Sequence, residues 1–130
     1  MIFKYLKIFA SIFRLFKFIL LLSRKIEKNM DELTRKKLLV ENVADVVCTK
    51  FGVDINRVFS RDKHKCVSDA RNILLYILHK DYRLSISFLA KEFERSTSWV
   101  LKMCSIKKQH IAMYEDCAEE HEMFLRLLNF

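Results

Sequence analysis

The chain has 130 residues, 24 Lys and Arg against 16 Asp and Glu, a formal charge of +8, a single glycine and no proline. That length supports one small domain. With Gly52 alone, neither a P-loop nor a dinucleotide fingerprint can be written, because both need several glycines to bring backbone N–H groups against phosphate, so these residues encode no nucleotide-driven motor.

Scarce turn formers with abundant Leu, Ile, Lys and Glu predict an all-α fold, a small helical bundle with an added N-terminal amphipathic helix. Charge is unevenly spread: residues 1–29 carry +6, 30–49 carry −1, 50–110 carry +7 and 111–130 carry −4. A basic middle points to a polyanionic partner, nucleic acid ahead of lipid head groups. Cys48, Cys66, Cys104 and Cys117 show no paired C-x-x-C spacing, which argues against a disulfide framework and for buried thiols in a reducing cytoplasm. Cys117 and His121 lie one helical turn apart, but two ligands do not close a tetrahedral metal site, so no metal or other cofactor is expected.

Residues 1–22, MIFKYLKIFASIFRLFKFILLL, are mostly apolar, with Lys4, Lys7, Arg14 and Lys17 spaced to share one helical face. No uninterrupted apolar run approaches the ~20 residues a bilayer span needs, so the pattern predicts a helix lying on a membrane surface. No A-x-A-like cleavage site follows, which disfavours a secretory signal. A second reading treats residues 1–29 as an untranslated leader, because Met30 follows Glu27, Lys28 and Asn29, whose codons are purine-rich like a bacterial ribosome-binding site.

From Met30, DELTRKKLLVENVADVVCTKF carries Leu39, Val40, Val43, Val46 and Val47 at helical spacing, and Gly52 supplies a left-handed cap. DINRVF predicts a short helix, and SRDKHK, Ser60 to Lys65, an exposed basic loop. In DARNILLYILHK, Asp69 to Lys80, six consecutive apolar residues predict a buried helix, with Arg71 pointing outward beside the basic loop. Ser85 and Ser96 are good N-caps for two further helices, Ser85 to Phe93 and Ser96 to about Lys108. Ala90 is the small residue where these helices cross, Leu89 and Phe93 face the core, and Val100 with Met103 or Cys104 forms the matching inner face: a helix-turn-helix. Glu94 stands where such turns usually carry glycine, which predicts a distorted turn. Residues 111–130 form an acidic amphipathic helix with Met113, Phe124, Leu125 and Leu128 on its apolar side, placed to close the core, to cover the basic surface or to carry a partner.

Ser96, Thr97 and Ser98, followed by Lys102, begin the outward face of the second helix, where short hydroxyl side chains can enter a major groove while the positive helix end favours phosphate. The bland alternative has Ser96 only capping and Thr97 and Ser98 solvated, and Trp99 is expected to pack against the domain. Val43 to Gln109 resembles the carboxy-terminal DNA-binding domain of the bacterial replication initiator DnaA. In that resemblance SRDKHK is similar to a basic loop whose arginine enters the minor groove, with Lys63 at that place and Arg61 and Lys65 beside it. Arg71 resembles an arginine that contacts phosphate. RSTSWV resembles the signature R-D-H-[ST]-T-V, Arg95 and Val100 matching directly, Ser96 and Thr97 standing where the family has base-reading Asp and His, and the turn one residue shorter.

The resemblance implies a double-stranded DNA-binding module over residues 30–110, flanked by an extension over 1–29 and an acidic helix over 111–130. Its contacts would be Arg61, Lys63, Lys65, Arg71, Arg95, Ser96, Thr97, Ser98 and Lys102. The expected role is replication initiation or its regulation, without the family's ATPase module. The alternatives are a membrane-surface or protein-interaction module and a phage or plasmid transcriptional regulator. No nucleophile and base pair, carboxylate dyad or metal set has convincing spacing, so no enzyme is expected. Oligomeric state is left open.

Overall fold

In a computed structural model, the structure describes the backbone of residues 2–29 and 31–130 and the side chains of residue 8, residues 10–22 and residues 31–130. The side chains of Lys4 and Lys7, and those of the segment around Met30, lie outside the described residues. Seven helices follow in order among the described residues: α1 (Ile2–Asn29), α2 (Glu32–Phe51), α3 (Ile55–Phe59), α4 (Lys65–Tyr76), α5 (Ile86–Glu92), α6 (Thr97–Met113) and α7 (Glu115–Leu127), with no strand among those residues. The chain divides into two compact units, Met1–Arg35 and Lys36–Phe130, the boundary falling early in α2. The fold is all-α, as composition predicts.

In the second unit the core is built around α4. Ile73, Leu74, Leu75, Tyr76, Ile77 and Leu78 are all buried, so the apolar run is enclosed on every side. Around it pack Val40, Val43, Ala44 and Val47 of α2, Val58 of α3, Leu89 and Ala90 of α5, and Val100 and Cys104 of α6. Val46 and Leu39 are only partly covered at the edge of the α2 stripe. Gly52 takes φ +67 and its N–H bonds to the Thr49 carbonyl, giving α2 the left-handed stop that its sequence predicts.

The end of α4 widens. Residues Ile77–Asp81 form a π-helical turn, closed by the Tyr82 N–H on the Ile77 carbonyl at 3.2 Å. Arg83 follows at φ +57, and the Leu84 carbonyl meets His79 Nδ1 at 2.9 Å. From α7, His121 Nε2 pairs with Asp81 Oδ2 at 2.7 Å, so one ring nitrogen of the histidine that stands a turn from Cys117 faces a carboxylate.

Phe124 of α7 is fully buried and stacks on Phe51 at 5.9 Å, so this helix closes the core. Met113 does not belong to it. The preceding helix, α6, continues without a break to Met113, which is 73% exposed, and α7 starts only after the extended backbone of Tyr114. The sequence offered neither glycine nor proline to mark that boundary, and the change of charge at residue 111 marked it too early.

Burial pushes the thiols of Cys48 and Cys104 up to about 11, the carboxylates of Asp45 and Asp54 adding to the effect at Cys48, whereas Cys66 is exposed. At pH 8 a thiol with such a pKa is roughly one part in a thousand thiolate, and thiolate is the reactive form. Iodoacetamide followed by mass spectrometry is expected to label Cys66 in the folded protein, with Cys48 and Cys104 reacting only after denaturation. Equal labelling of all three in the native state would contradict this packing.

Candidate nucleic-acid interface

Three short segments meet on one part of the second unit: the loop after α3, the start of α4 and the turn into α6. The loop is ordered by its own polar groups. Asp62 accepts from the His64 N–H at 2.9 Å and from Arg57 Nε at 2.7 Å, and lies 3.0 Å from His64 Nδ1. The His64 backbone N–H, then the Arg57 guanidinium, then the His64 ring hold the Asp62 carboxyl well below the usual carboxylate range. Ser60 Oγ donates to the Arg57 carbonyl at 2.6 Å and accepts from the Asp62 N–H at 3.2 Å. The negative charge of the loop is therefore engaged locally, while Arg61, Lys63 and Lys65 are exposed.

Arg71 corrects the sequence reading. Expected to point outward, it is 5% exposed, and its guanidinium donates to the carbonyls of Val58 (Nε, 2.8 Å), Ser60 (Nη2, 2.8 Å), Asp62 (Nη2, 2.9 Å) and, more weakly, Arg57 (Nη2, 3.3 Å). The carbonyls of Val58, Ser60 and Asp62, together with the Arg57 carbonyl that Ser60 already bonds, are met by one planar fork, a geometry that guanidinium supplies and ammonium does not. Lys65 also differs from its expected setting, being the first residue of α4 rather than part of the loop, which spans residues 60–64.

The helix-turn-helix forms as its caps predict. Ser85 Oγ accepts from the Phe88 N–H and Ser96 Oγ from the Trp99 N–H, each at 3.2 Å. Between the helices the Arg95 N–H bonds the Ala90 carbonyl at 2.9 Å and the Glu94 N–H bonds the Lys91 carbonyl at 3.3 Å, the paired bonds of a Schellman motif. Glu94 occupies the left-handed position at φ +51. The expected distortion is thus confined to a dihedral strain at one residue, and the hydrogen bonding is regular.

One ring contact joins the end of α3 to the turn. Phe59, just before the loop, stacks on Phe93, just before the turn, at 4.7 Å. Burial, and then the like charge of Arg95, depress the Arg71 pKa, an effect that Asp62 partly offsets. Arg95 itself lies over the Trp99 ring at 4.6 Å, and Trp99 is half-buried against the core, in line with the packing role expected for it. Thr97, Ser98 and Lys102 are exposed, and no acidic residue occupies the first turn of α6 or of α4, so neither helix start carries a carboxylate of its own first turn.

Eight of the nine expected contact residues, Arg61, Lys63, Lys65, Arg95, Ser96, Thr97, Ser98 and Lys102, are exposed or half-buried in these three segments, and Arg71 lies beneath them. Sequence reading missed Arg57, Asp62 and His64 as organisers of the loop. The signal for Arg71 was present: it falls four residues after Val67 and three and four before Leu74 and Leu75, all buried, and so belongs to the core stripe of α4.

Urea unfolding of Arg71→Ala is expected to show a loss of about 2–4 kcal/mol, since buried carbonyls lose a charged donor, with Arg71→Lys recovering less than half. A change within about 0.5 kcal/mol, as for an exposed phosphate contact, would contradict the role described. At the turn, Glu94→Gly is expected to be neutral or to stabilise by up to about 1 kcal/mol, and Glu94→Val to destabilise by more than about 1 kcal/mol, because a β-branched side chain tolerates positive φ worst. Thermal melts check that order.

No curated protein matches the chain. The family model described as "Bacterial dnaA protein helix-turn-helix" matches residues 40–108, more than half of the chain, and those residues run from the first buried valine of α2 through the caps, loop and turn described above into α6. With its loop, Arg71 and both serine caps inside that match, the chain belongs to the bacterial DnaA helix-turn-helix family, a family of DNA-binding domains.

Proposed function

We propose that the second unit binds double-stranded DNA across two adjacent grooves. The start of α6 lies in the major groove, where Thr97 and Ser98, with the free O–H of Ser96, face base edges, and Arg95 and Lys102 reach flanking phosphates. Arg61, Lys63 and Lys65 approach the neighbouring minor groove from the loop. The observation that carries this reading is the Phe59–Phe93 stack between the residue before the loop and the residue before the turn, which brings two basic exposed elements together. Arg71 serves it indirectly, by holding the loop backbone.

Membership of the family supports a role at a replication origin or in control of initiation, in the cytoplasm where the chromosome is exposed. The chain's residues hold no glycine-rich phosphate loop, so the reading assigns them site recognition and not ATP-driven strand opening. Ser96 and Thr97 in place of the family's Asp and His favour a recognition sequence different from that of the family's usual site.

Fluorescence anisotropy with short duplexes is expected to show affinity falling steeply with salt. Lys63→Ala should lower the slope of log affinity against log salt by about 0.9, the contribution of one phosphate contact. Thr97→Ala should leave that slope unchanged and alter the sequences recovered from a random duplex pool. Salt-independent binding, or none, would end the proposal.

A further inference from the structure

Trp99 is the single tryptophan of the chain, and it is only half-buried: it packs against the core while the Arg95 guanidinium lies over its ring, 4.6 Å from the centroid. The contact bridges the start of α6. Arg95 precedes the Ser96 cap, and the backbone between the two side chains is fixed at both ends, by the Trp99 N–H on Ser96 Oγ at 3.2 Å and by the Arg95 N–H on the Ala90 carbonyl at 2.9 Å. Among the described residues no hydrogen bond or ion pair engages the guanidinium of Arg95, and the like charge of Arg71 opposes it. A long, flexible side chain in that setting loses its order unless something restrains it, and the indole face is the restraint present. Stacking occupies the face of a guanidinium and leaves free the in-plane N–H edge, the part that meets phosphate oxygens. The signature that RSTSWV resembles carries threonine where this chain has Trp99, and threonine has no ring face to offer.

We propose, resting on the duplex reading above, that Trp99 is a positioning residue for DNA binding: its indole holds the Arg95 guanidinium flat so that the N–H edge is presented to a phosphate beside the start of α6. An arginine ordered before the encounter avoids the entropic cost that a free one meets on binding. The ring also keeps that charge at the turn against repulsion from Arg71, which is itself fixed beneath the loop by backbone carbonyls.

A labelled duplex of mixed sequence is a sufficient probe, because phosphate contacts do not depend on base sequence. Fluorescence anisotropy with the full chain is expected to show Trp99→Leu weakening binding about twofold to fivefold, as loss of a partly exposed cation–π contact implies. Trp99→Phe should recover part of that loss. In the Arg95→Ala background Trp99→Leu should cost nothing further, since the two side chains act as one unit. A second measurement needs no substitution: in the free wild-type protein the ring current of Trp99 should move the Arg95 δ-methylene proton resonances upfield of those of the other arginines. An undiminished loss from Trp99→Leu in the Arg95→Ala background would make Trp99 a packing residue only and overturn the proposal, as would Arg95 δ-methylene protons without the ring-current shift. A wild-type chain that binds no duplex would overturn the duplex reading and this proposal together, an outcome distinct from the other two.

Discussion

An arginine that is only 5% exposed would be expelled from most small cores, and the arrangement of the DNA-binding unit depends on why Arg71 is not. Desolvation of an unpaired charge costs several kcal/mol, so the charge must be met by enough acceptors to offset it. Here those acceptors are carbonyls of Arg57, Val58, Ser60 and Asp62, with the Asp62 carboxylate near enough to favour the charged form. Among the described residues no buried side-chain nitrogen or oxygen is left without a partner. The consequence runs both ways: the loop satisfies the charge, and the charge gives an irregular stretch of backbone the hydrogen bonds that helix or sheet would otherwise supply.

That exchange couples two links that are usually separate. The Arg71 backbone belongs to α4, the most buried helix of the unit, so the position of Arg61 and Lys63 is set from the core outward rather than by the loop alone. Residues held this way lose less conformational entropy on meeting a partner than they would on a free loop. The Phe59–Phe93 stack extends the same rigidity to the turn before α6. The loop and the start of α6 are therefore held against one core, as a reader that touches adjacent grooves would require. The like charge of Arg95 opposes that of Arg71, a cost that a phosphate placed beside Arg95 would offset.

Most of the scaffold was legible in the sequence because local and tertiary preferences agree. Ser85 and Ser96 cap because a hydroxyl satisfies an orphan N–H wherever the helix starts, and six apolar residues in a row leave no polar face to solvate. The reading failed where chemistry and geometry pulled apart. Arg71 was assigned to solvent by its charge although its spacing from Val67 and Leu74 put it on the buried stripe. The end of α6 was misplaced because nothing in IKKQHIAM breaks a helix, and only the extended Tyr114 backbone does so. Glu94 in a left-handed turn has no signature of its own, since the Schellman bonds of Glu94 and Arg95 impose the dihedral on whatever residue occupies that position. Loop organisers such as Asp62 and His64 are likewise visible only once the backbone brings them within 3 Å.

The parts that build the platform and the parts that would read sequence have different freedom to change. Arg71, Phe59, Phe93 and the two serine caps are fixed by partners inside the unit, and altering any of them costs folding energy. Thr97, Ser98 and Lys102 are exposed and have no such obligation. The resemblance places Ser96 and Thr97 at positions where the family carries Asp and His, and Ser96 keeps the cap while losing reach. A hydroxyl side chain makes one adaptable hydrogen bond where a longer side chain can discriminate between bases, and each good base contact is worth about 1–3 kcal/mol. On the proposed reading, binding through this face would draw a larger share of its energy from phosphate contacts made by Lys and Arg. The physical expectation is a domain whose grip on duplex depends strongly on ionic strength and whose preference among sequences rests on the few positions that Thr97 and Ser98 can reach.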